Sequence, residues 1–444
     1  MKYRRARWRN VLLIADMHIP RATKLIFNKD EAWEKYLTHC GDSVTINQIE
    51  CIEKMLACGT SKVGSKHYEC ENPACEHRKV IYNSCKSKAC SSCGVMLTEK
   101  WIAKQLSILP KCEYQHMTLT MPDKLWPIFR LNPWLINLLY CCAVSAFLSF
   151  AKKRGIEIGL FCVVHTFGRQ LNWNVHFHLS VTRGGINLKT KRWGNIYFNA
   201  AMVEQHWKQQ VVSFLRDHYH NLNTKHDNYQ HIRDFRGWSQ FLSSQYSRKW
   251  RIHLAKKTED VGPTVRYLGR YFKRPPIAAS RLRHYQGDDV HFVYKDHRDN
   301  CYKTLVLSQI EMIDRLVSHI PAEKNFRAIR YYGFLSNRKR GKALPLVYDL
   351  LNQEEPVEPK PLNYAQMMHH LVGIDPYKCI LCGGRMCFVK MEMGLKGHEL
   401  VALRKATMRE KRRLRYSLWD DLPEIWQNAK NSIENTQKQP VLVG

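Results

Sequence analysis

Residues 173–185 read WNVHFHLSVTRGG. Apolar and polar side chains alternate, so a strand here sends Val175, Phe177 and Leu179 to one face and His176 and His178 together to the other. The run just before it, IGLFCVVHTFG at 158–168, also reads as a strand and ends near His165, eleven residues ahead of His176. A turn between the two folds the first strand back beside the second and brings the three imidazoles together. Upstream, YQHMTLTMP at 114–122 alternates as well, and a long apolar segment from Trp134 separates it from the pair. The order strand, helix, strand, strand predicts an α+β domain on an antiparallel sheet.

The rest of the chain sets that domain in context. With 444 residues, two or three domains of ordinary size are expected. Lys+Arg of 70 against Asp+Glu of 39 leaves a net charge of +31, spread over AKKR, KTKR, SRKWR, YFKR, NRKRGK and REKRRLR. Such an excess calls for a polyanion, and nucleic acid is the partner it fits. The opening MKYRRARWRNVLLIADMHIP is basic, but its apolar run is too short for a secretory signal, which points to the cytoplasm. The longest apolar run, WLINLLYCCAVSAFLSFA, carries Asn137, Ser145 and Ser149 and reads as a buried core helix, with Asn132 as its N-cap and Pro133 as its first residue. Residues 1–60 read as a helical lead-in, 61–104 as a cysteine-rich module, 105–300 as the α+β domain and 301–444 as a mostly helical basic region with a second cysteine group and a disordered tail. Helices are expected over about 200–260, and a hairpin from DDVHFVYKDHRDN and CYKTLVLSQI.

Seven of the 16 cysteines lie between Cys51 and Cys93. In a reducing compartment, clustering of this kind means metal rather than disulfides. Two close pairs, Cys70 with Cys75 and Cys90 with Cys93, have 14 residues between them and suit a tetrahedral Zn2+ site, with Cys85, His67 and His77 as spare ligands. The later CILCGGRMC offers Cys379 and Cys382 as half of a further zinc site, which His369, His370 or His398 would have to complete.

His176, His178 and His165 are candidate ligands of a divalent metal, and a metal that polarises a phosphate needs a nucleophile. GPTVRYLGRYFKRPP at 262–276 reads as a helix opened by Gly262 and Pro263 and stopped by Pro275. It puts Tyr267 and Tyr271 one turn apart on one face, among Arg266, Arg270, Lys273 and Arg274. A phenol becomes a usable nucleophile where a metal and nearby cations stabilise the phenolate. No G-x4-G-K-[ST] phosphate loop is present, so no helicase is expected in the chain.

The His-x10-His-x-His arrangement resembles the three-histidine metal site of DNA-nicking relaxases. More broadly, HYEC…SCKSKACSSC, YQHMTLTMP, HTFGRQLNWNVHFHLSV, RYLGRYFKRPP, FVYKDHRD and FRAIRYYGFLSNRKR, in that order over about residues 60–345, resemble the two-tyrosine HUH transposases of the insertion-sequence-91 type. That resemblance implies an HUH endonuclease domain of the ferredoxin-like or palm type behind a zinc module that binds DNA. It implies metal ligation by His176 and His178 with Mg2+ or Mn2+, and nucleophilic attack by Tyr267 and Tyr271 that leaves a 5′-phosphotyrosine. Its substrate would be single-stranded transposon ends, folded as hairpins; no membrane and no small-molecule substrate are expected, and homo-oligomerisation is left open by the sequence. The Cys70-x4-Cys75 spacing is longer than the usual Cys-x2-Cys of that module. A plasmid replication initiator or relaxase shares the chemistry, and a zinc-dependent DNA-binding regulator would need none of it.

Overall fold

The computed structural model describes residues 22–420 apart from 233, 274, 287, 297 and 358–362. Its helices are α1 (Ala22–Asn28), α2 (Ala32–Cys40), α3 (Ile46–Ala57), α4 (Cys93–Ile108), α5 (Trp126–Leu131), α6 (Trp134–Lys153), α7 (Ala200–Asp217), α8 (Phe235–Tyr246), α9 (Gly262–Lys273), α10 (Gln309–Ser318), α11 (Arg340–Leu350), α12 (Tyr364–Val372) and α13 (Gly397–Asp420). The strands are β1 (Gly64–Cys70), β2 (Arg78–Tyr82), β3 (Tyr114–Leu119), β4 (Ile156–Phe167), β5 (Trp173–Asn187), β6 (Trp193–Asn195), β7 (Ile252–Thr258), β8 (Leu282–Gln286), β9 (Asp289–Lys295), β10 (Tyr302–Ser308), β11 (Ile329–Gly333) and β12 (Met386–Met393).

The predicted α+β architecture is present, and every strand pairing in it is antiparallel. The central sheet runs β11-β4-β5-β3-β7, with β6 beside the far end of β5. Each face of this sheet carries its own core. On one side Val175, Phe177 and Leu179 pack with Tyr140 and Phe147 of α6, Trp207 of α7 and Trp238 of α8. On the other, Phe161 and Val163 of β4 meet Ile102 of α4, Val265 and Leu268 of α9 and Val347 of α11. A sheet covered on both faces explains why β4 reads as a nearly continuous apolar run rather than an alternating one.

The apolar segment from Trp134 is a core helix, as expected, though it opens differently. Asn132 does not cap it. Its amide donates instead to Ile128 O and Asn223 O, while its own Oδ1 accepts from Asn223 N, so this buried side chain ties the helix entry to a loop about ninety residues on. The stretch 200–260 is helical only in part. IHLAKKT forms β7, which pairs with β3 at the sheet edge, where few apolar positions are needed and lysines discourage further pairing. The C-terminal region is likewise not purely helical: MCFVKMEM forms β12, which pairs with β1 in a second sheet, β12-β1-β2.

The hairpin β9-β10 forms as predicted, with β8 as a third strand. Its apolar face does not join the central sheet. Val290, Phe292, Leu307, Met312 and Ile313 pack with Phe27, Trp33, Tyr36, Ile52 and Met55 of α1–α3, so the helical lead-in and residues 277–320 share one core. Residues 1–21 and 421–444, with the expected disordered tail, lie outside the described residues.

Gly333 closes β11 with φ +61, and a Cβ there would stand 1.7 Å from Ile158 O. Replacing it by alanine adds left-handed strain to a backbone clash beside β4, and is expected to destabilise the fold by about 3 kcal/mol or more. Thermal melting of Gly333→Ala checks this; an unchanged midpoint would show that β11 is not held against β4.

Candidate active site and cysteine clusters

The β4–β5 register sets His165 directly opposite His176 and Val163 opposite His178. The three rings converge, with centroids 4.3 Å apart for His165 and His178, 5.0 Å for His176 and His178, and 5.4 Å for His165 and His176. One nitrogen from each lies within 4.8 Å of the others, and no carboxylate oxygen among the described residues joins the group. His176 Nδ1 lies 2.8 Å from Asn174 O; a carbonyl only accepts, so Nδ1 carries the proton and Nε2 keeps its lone pair. His178 Nδ1 is engaged at 3.1 Å by His116 Nε2 and at 3.2 Å by Thr118 Oγ1, which leaves its Nε2 as the other available donor.

Burial is the leading influence on all of these rings. It drives the pKa of His165 and His178 well below the ordinary imidazole value, with the neighbouring imidazoles adding to the effect, and it also lowers that of His176. His116, on β3, is pushed down to about 4 by burial and then by His253 on β7. Neutral imidazoles held together are the protonation state that metal ligation requires.

Helix α9 lies over this face of the sheet. Val265 and Leu268 are buried beneath it, and the half-exposed ring of Tyr267 stands 5.8 Å from the His178 ring and 6.3 Å from the His116 ring. Gly269 lets α9 approach α4 closely, since a Cβ there would be 2.9 Å from Ile102 Cγ1 and Trp101 Cε3 of that helix. Arg266, beside Tyr267, is exposed. Tyr271, Arg270 and Lys273 belong to the same helix, but their side chains, and Arg274 entirely, lie outside the described residues.

The cysteines assemble otherwise than their spacing suggested. Cys70 and Cys75 do not meet Cys90 and Cys93. Instead Cys85, Cys90 and Cys93 gather with Cys58, at Sγ separations of 3.5 Å (Cys58 to Cys93, Cys85 to Cys93) and 3.6 Å (Cys90 to Cys58). Cys70 and Cys75 gather with Cys379 and Cys382, which takes the place given to His369, His370 or His398. Two four-cysteine groups therefore replace the single one expected, and all eight thiols are unpaired by disulfides. Of the spare ligands, Cys85 joins the first group, His77 touches the second, and His67 bonds Ser65 and Glu392 away from both.

Sequence reasoning missed Cys58, His116 and Thr118. Cys58 was visible as a cysteine just ahead of the module. His116 and Thr118 were visible as period-two neighbours within YQHMTLTMP, whose strand pairs with the one bearing His178.

The family model described as "Transposase zinc-binding domain" matches residues 28–121, and one described as "Putative transposase" matches residues 159–342. The chain is 40% identical over 402 residues to the "Transposase for insertion sequence element IS801" of Pseudomonas savastanoi pv. phaseolicola, covering 90% of this chain and 97% of that protein. It is 25% identical over 354 residues to the "Putative transposase y4qJ" of Sinorhizobium fredii, covering 77% of this chain and 88% of that one. No solved structure matches it.

His319, half-buried between Thr166 and Leu171, is pushed down to about 4 by desolvation, as His116 is. With folded values near 4 and an unfolded value near 6.5, the unfolded chain takes up protons first as pH falls. The stability that these two neutral rings confer is thus complete above about pH 6.5 and declines towards pH 4. Denaturant midpoints measured across that range should fall, and by less in His319→Gln; equal slopes for the two proteins would show that His319 is solvated.

Proposed function

The chain belongs to the insertion-sequence-91 family of transposases, and we propose that it nicks and rejoins single-stranded DNA at the ends of its element through a covalent 5′-phosphotyrosine. What supports this reading above all is one juxtaposition, the Tyr267 ring over a largely buried triad of neutral imidazoles. A structural histidine cluster would have no use for a half-exposed phenol at its rim beside an exposed arginine.

His165, His176 and His178 would hold a divalent cation. Three converging imidazoles and no carboxylate fit Mn2+ better than Mg2+, which prefers an all-oxygen shell. Such an ion, when bound, supplies Lewis-acid stabilisation of the charge on the scissile phosphate. His116 and Thr118 hold the His178 ring at Nδ1, so its ligating nitrogen is fixed before DNA arrives. The Tyr267 hydroxyl oxygen attacks the phosphorus as its proton passes to solvent; the bond to the 3′ oxygen breaks, and that oxygen takes a proton from solvent and leaves as a 3′-OH. Arg266, with Arg270, Lys273 and Arg274 on the same stretch, would neutralise the backbone phosphates that flank the break. Tyr271, one turn along the helix, would take the second strand, which permits exchange of ends without free water as acceptor.

DNA is the partner of a transposase, and the net charge of +31 suits it. The ends would be read as single-stranded hairpins by the zinc-binding domain together with the basic helices, in the cytoplasm at the nucleoid. Strand opening would come from elsewhere, since the chain carries no ATP-binding loop.

Incubation of the protein with labelled single-stranded end DNA and Mn2+ should give a covalent adduct that survives denaturation. Tyr267→Phe/Tyr271→Phe should abolish it, and His176→Ala or His178→Ala should lower the nicking rate about 100-fold or more, the equivalent of several kcal/mol of lost charge stabilisation. An adduct undiminished in the double tyrosine variant would overturn the mechanism.

A further inference from the structure

The second cysteine group is built from opposite ends of the chain. Cys70 closes β1 and Cys75 follows in the turn before β2, whereas Cys379 and Cys382 precede β12, about three hundred residues later. Neither pair is a complete tetrahedral site, and only the second half is outside both matched family regions. The sulfurs of Cys70 and Cys382 stand 3.4 Å apart and those of Cys75 and Cys379 3.7 Å apart, close to the separation of about 3.8 Å that metal–sulfur bonds of about 2.3 Å give in a tetrahedron.

The backbone around each pair is already turned for ligation. Cys75 N donates to Asn72 O at 2.9 Å and Ala74 N to Asn72 Oδ1 at 3.0 Å, which winds the first turn. In the second, Gly383 takes φ +76, Gly383 N donates to Cys379 O, and Gly384 N points at Cys382 Sγ at 3.4 Å. A Cβ at Gly384 would stand 3.3 Å from Cys382 Sγ and 3.5 Å from Cys70 Sγ, so the sulfurs crowd a backbone that only glycine keeps clear. His77 Nδ1 lies 3.1 Å from Cys379 Sγ, the outer hydrogen bond that a coordinated thiolate receives.

The apolar core of this sheet is small. Its buried apolar residues are Tyr68, Cys379 and Met386, and β12 leaves Phe388, Val389, Met391 and Met393 exposed. Four thiols converging in so small a core need a cation to justify them.

We propose that Cys70, Cys75, Cys379 and Cys382 bind a Zn2+ ion that fastens the C-terminal strand β12 onto the N-terminal module, as a centre separate from that of Cys58, Cys85, Cys90 and Cys93. His77 acts as a positioning residue for Cys379. The module that meets DNA is then completed only by residues beyond both matched regions. Helix α13, which follows β12, adds to the same junction: Arg404 pairs with Glu34 of α2 and Glu53 of α3, the latter at 3.3 Å. This inference stands apart from the phosphotyrosine chemistry, since either could fail without the other.

The test uses the full chain carrying His176→Ala and His178→Ala, so that the histidine triad does not contribute metal. Metal analysis of the purified protein should return two zinc ions per chain, and one after Cys379→Ser/Cys382→Ser. Exchange with Co2+ should give thiolate charge-transfer absorption whose intensity halves in that variant and, equally, in Cys70→Ser/Cys75→Ser. Cleavage by protease in the 352–357 linker should leave the C-terminal fragment attached to the parent protein until a chelator is added. One zinc ion in the parent protein overturns the proposal, and so does a disulfide between Cys70 and Cys382 found by mass spectrometry or a fragment that separates with zinc still bound. The parent measurements stand even if the serine variants fold poorly.

Discussion

Everything at the candidate site depends on the register between β4 and β5. A shift of one residue would send His176 and His178 into the core occupied by Phe177 and Leu179 and turn those apolar side chains outward, a change no part of the fold could absorb. The register is enforced from the far side. Phe177 packs edge-on against Tyr140 at 5.0 Å and against Trp207 at 6.0 Å, and the Tyr140 hydroxyl donates to Ala328 O just ahead of β11. The geometry of the polar face is thus specified by close packing on the apolar one.

Helix α4 joins the two chemical regions of the molecule. Its first residue is Cys93, a member of the first cysteine group, and its later turns pass under α9 at Gly269, where Ile102 and Trp101 would meet any Cβ at 2.9 Å, while the Thr98 hydroxyl donates within α4 to Gly94 O. One helix thus contacts both the first cysteine group and the helix that bears Tyr267. Packing along α4 thus links the region matched by the zinc-binding family model to the helix over the central sheet, although two separate family descriptions cover them.

Much of this was legible in the sequence because the signals were local. The alternation in WNVHFHLSV determines which side chains share a face, and Gly262, Pro263 and Pro275 bracket α9. What escaped was decided at long range. A Cys-x4-Cys turn is half a site, and no spacing rule selects between Cys90 with Cys93 nearby and Cys379 with Cys382 far along the chain; the pairing of β1 with β12 makes that choice. IHLAKKT has too few apolar residues to announce a strand, since an edge position on the sheet asks for few. Asn132 had the look of a helix cap because its neighbours fit one, and only the loop at Asn223 shows its other employment.

Strand β1 lies between β2 and β12 and so has two partners that emerge at very different times. During synthesis β2 follows within a dozen residues, but β12 leaves the ribosome only after more than three hundred further residues, at rates of about 5–20 residues per second. For that interval one long side of β1 offers bare amide and carbonyl groups, a template for unwanted pairing with any other extended chain. Transposase released early by a stop codon or a frameshift would keep that open side permanently. Closure of that edge thus waits on the far end of the chain, and only a copy that includes β12 covers it.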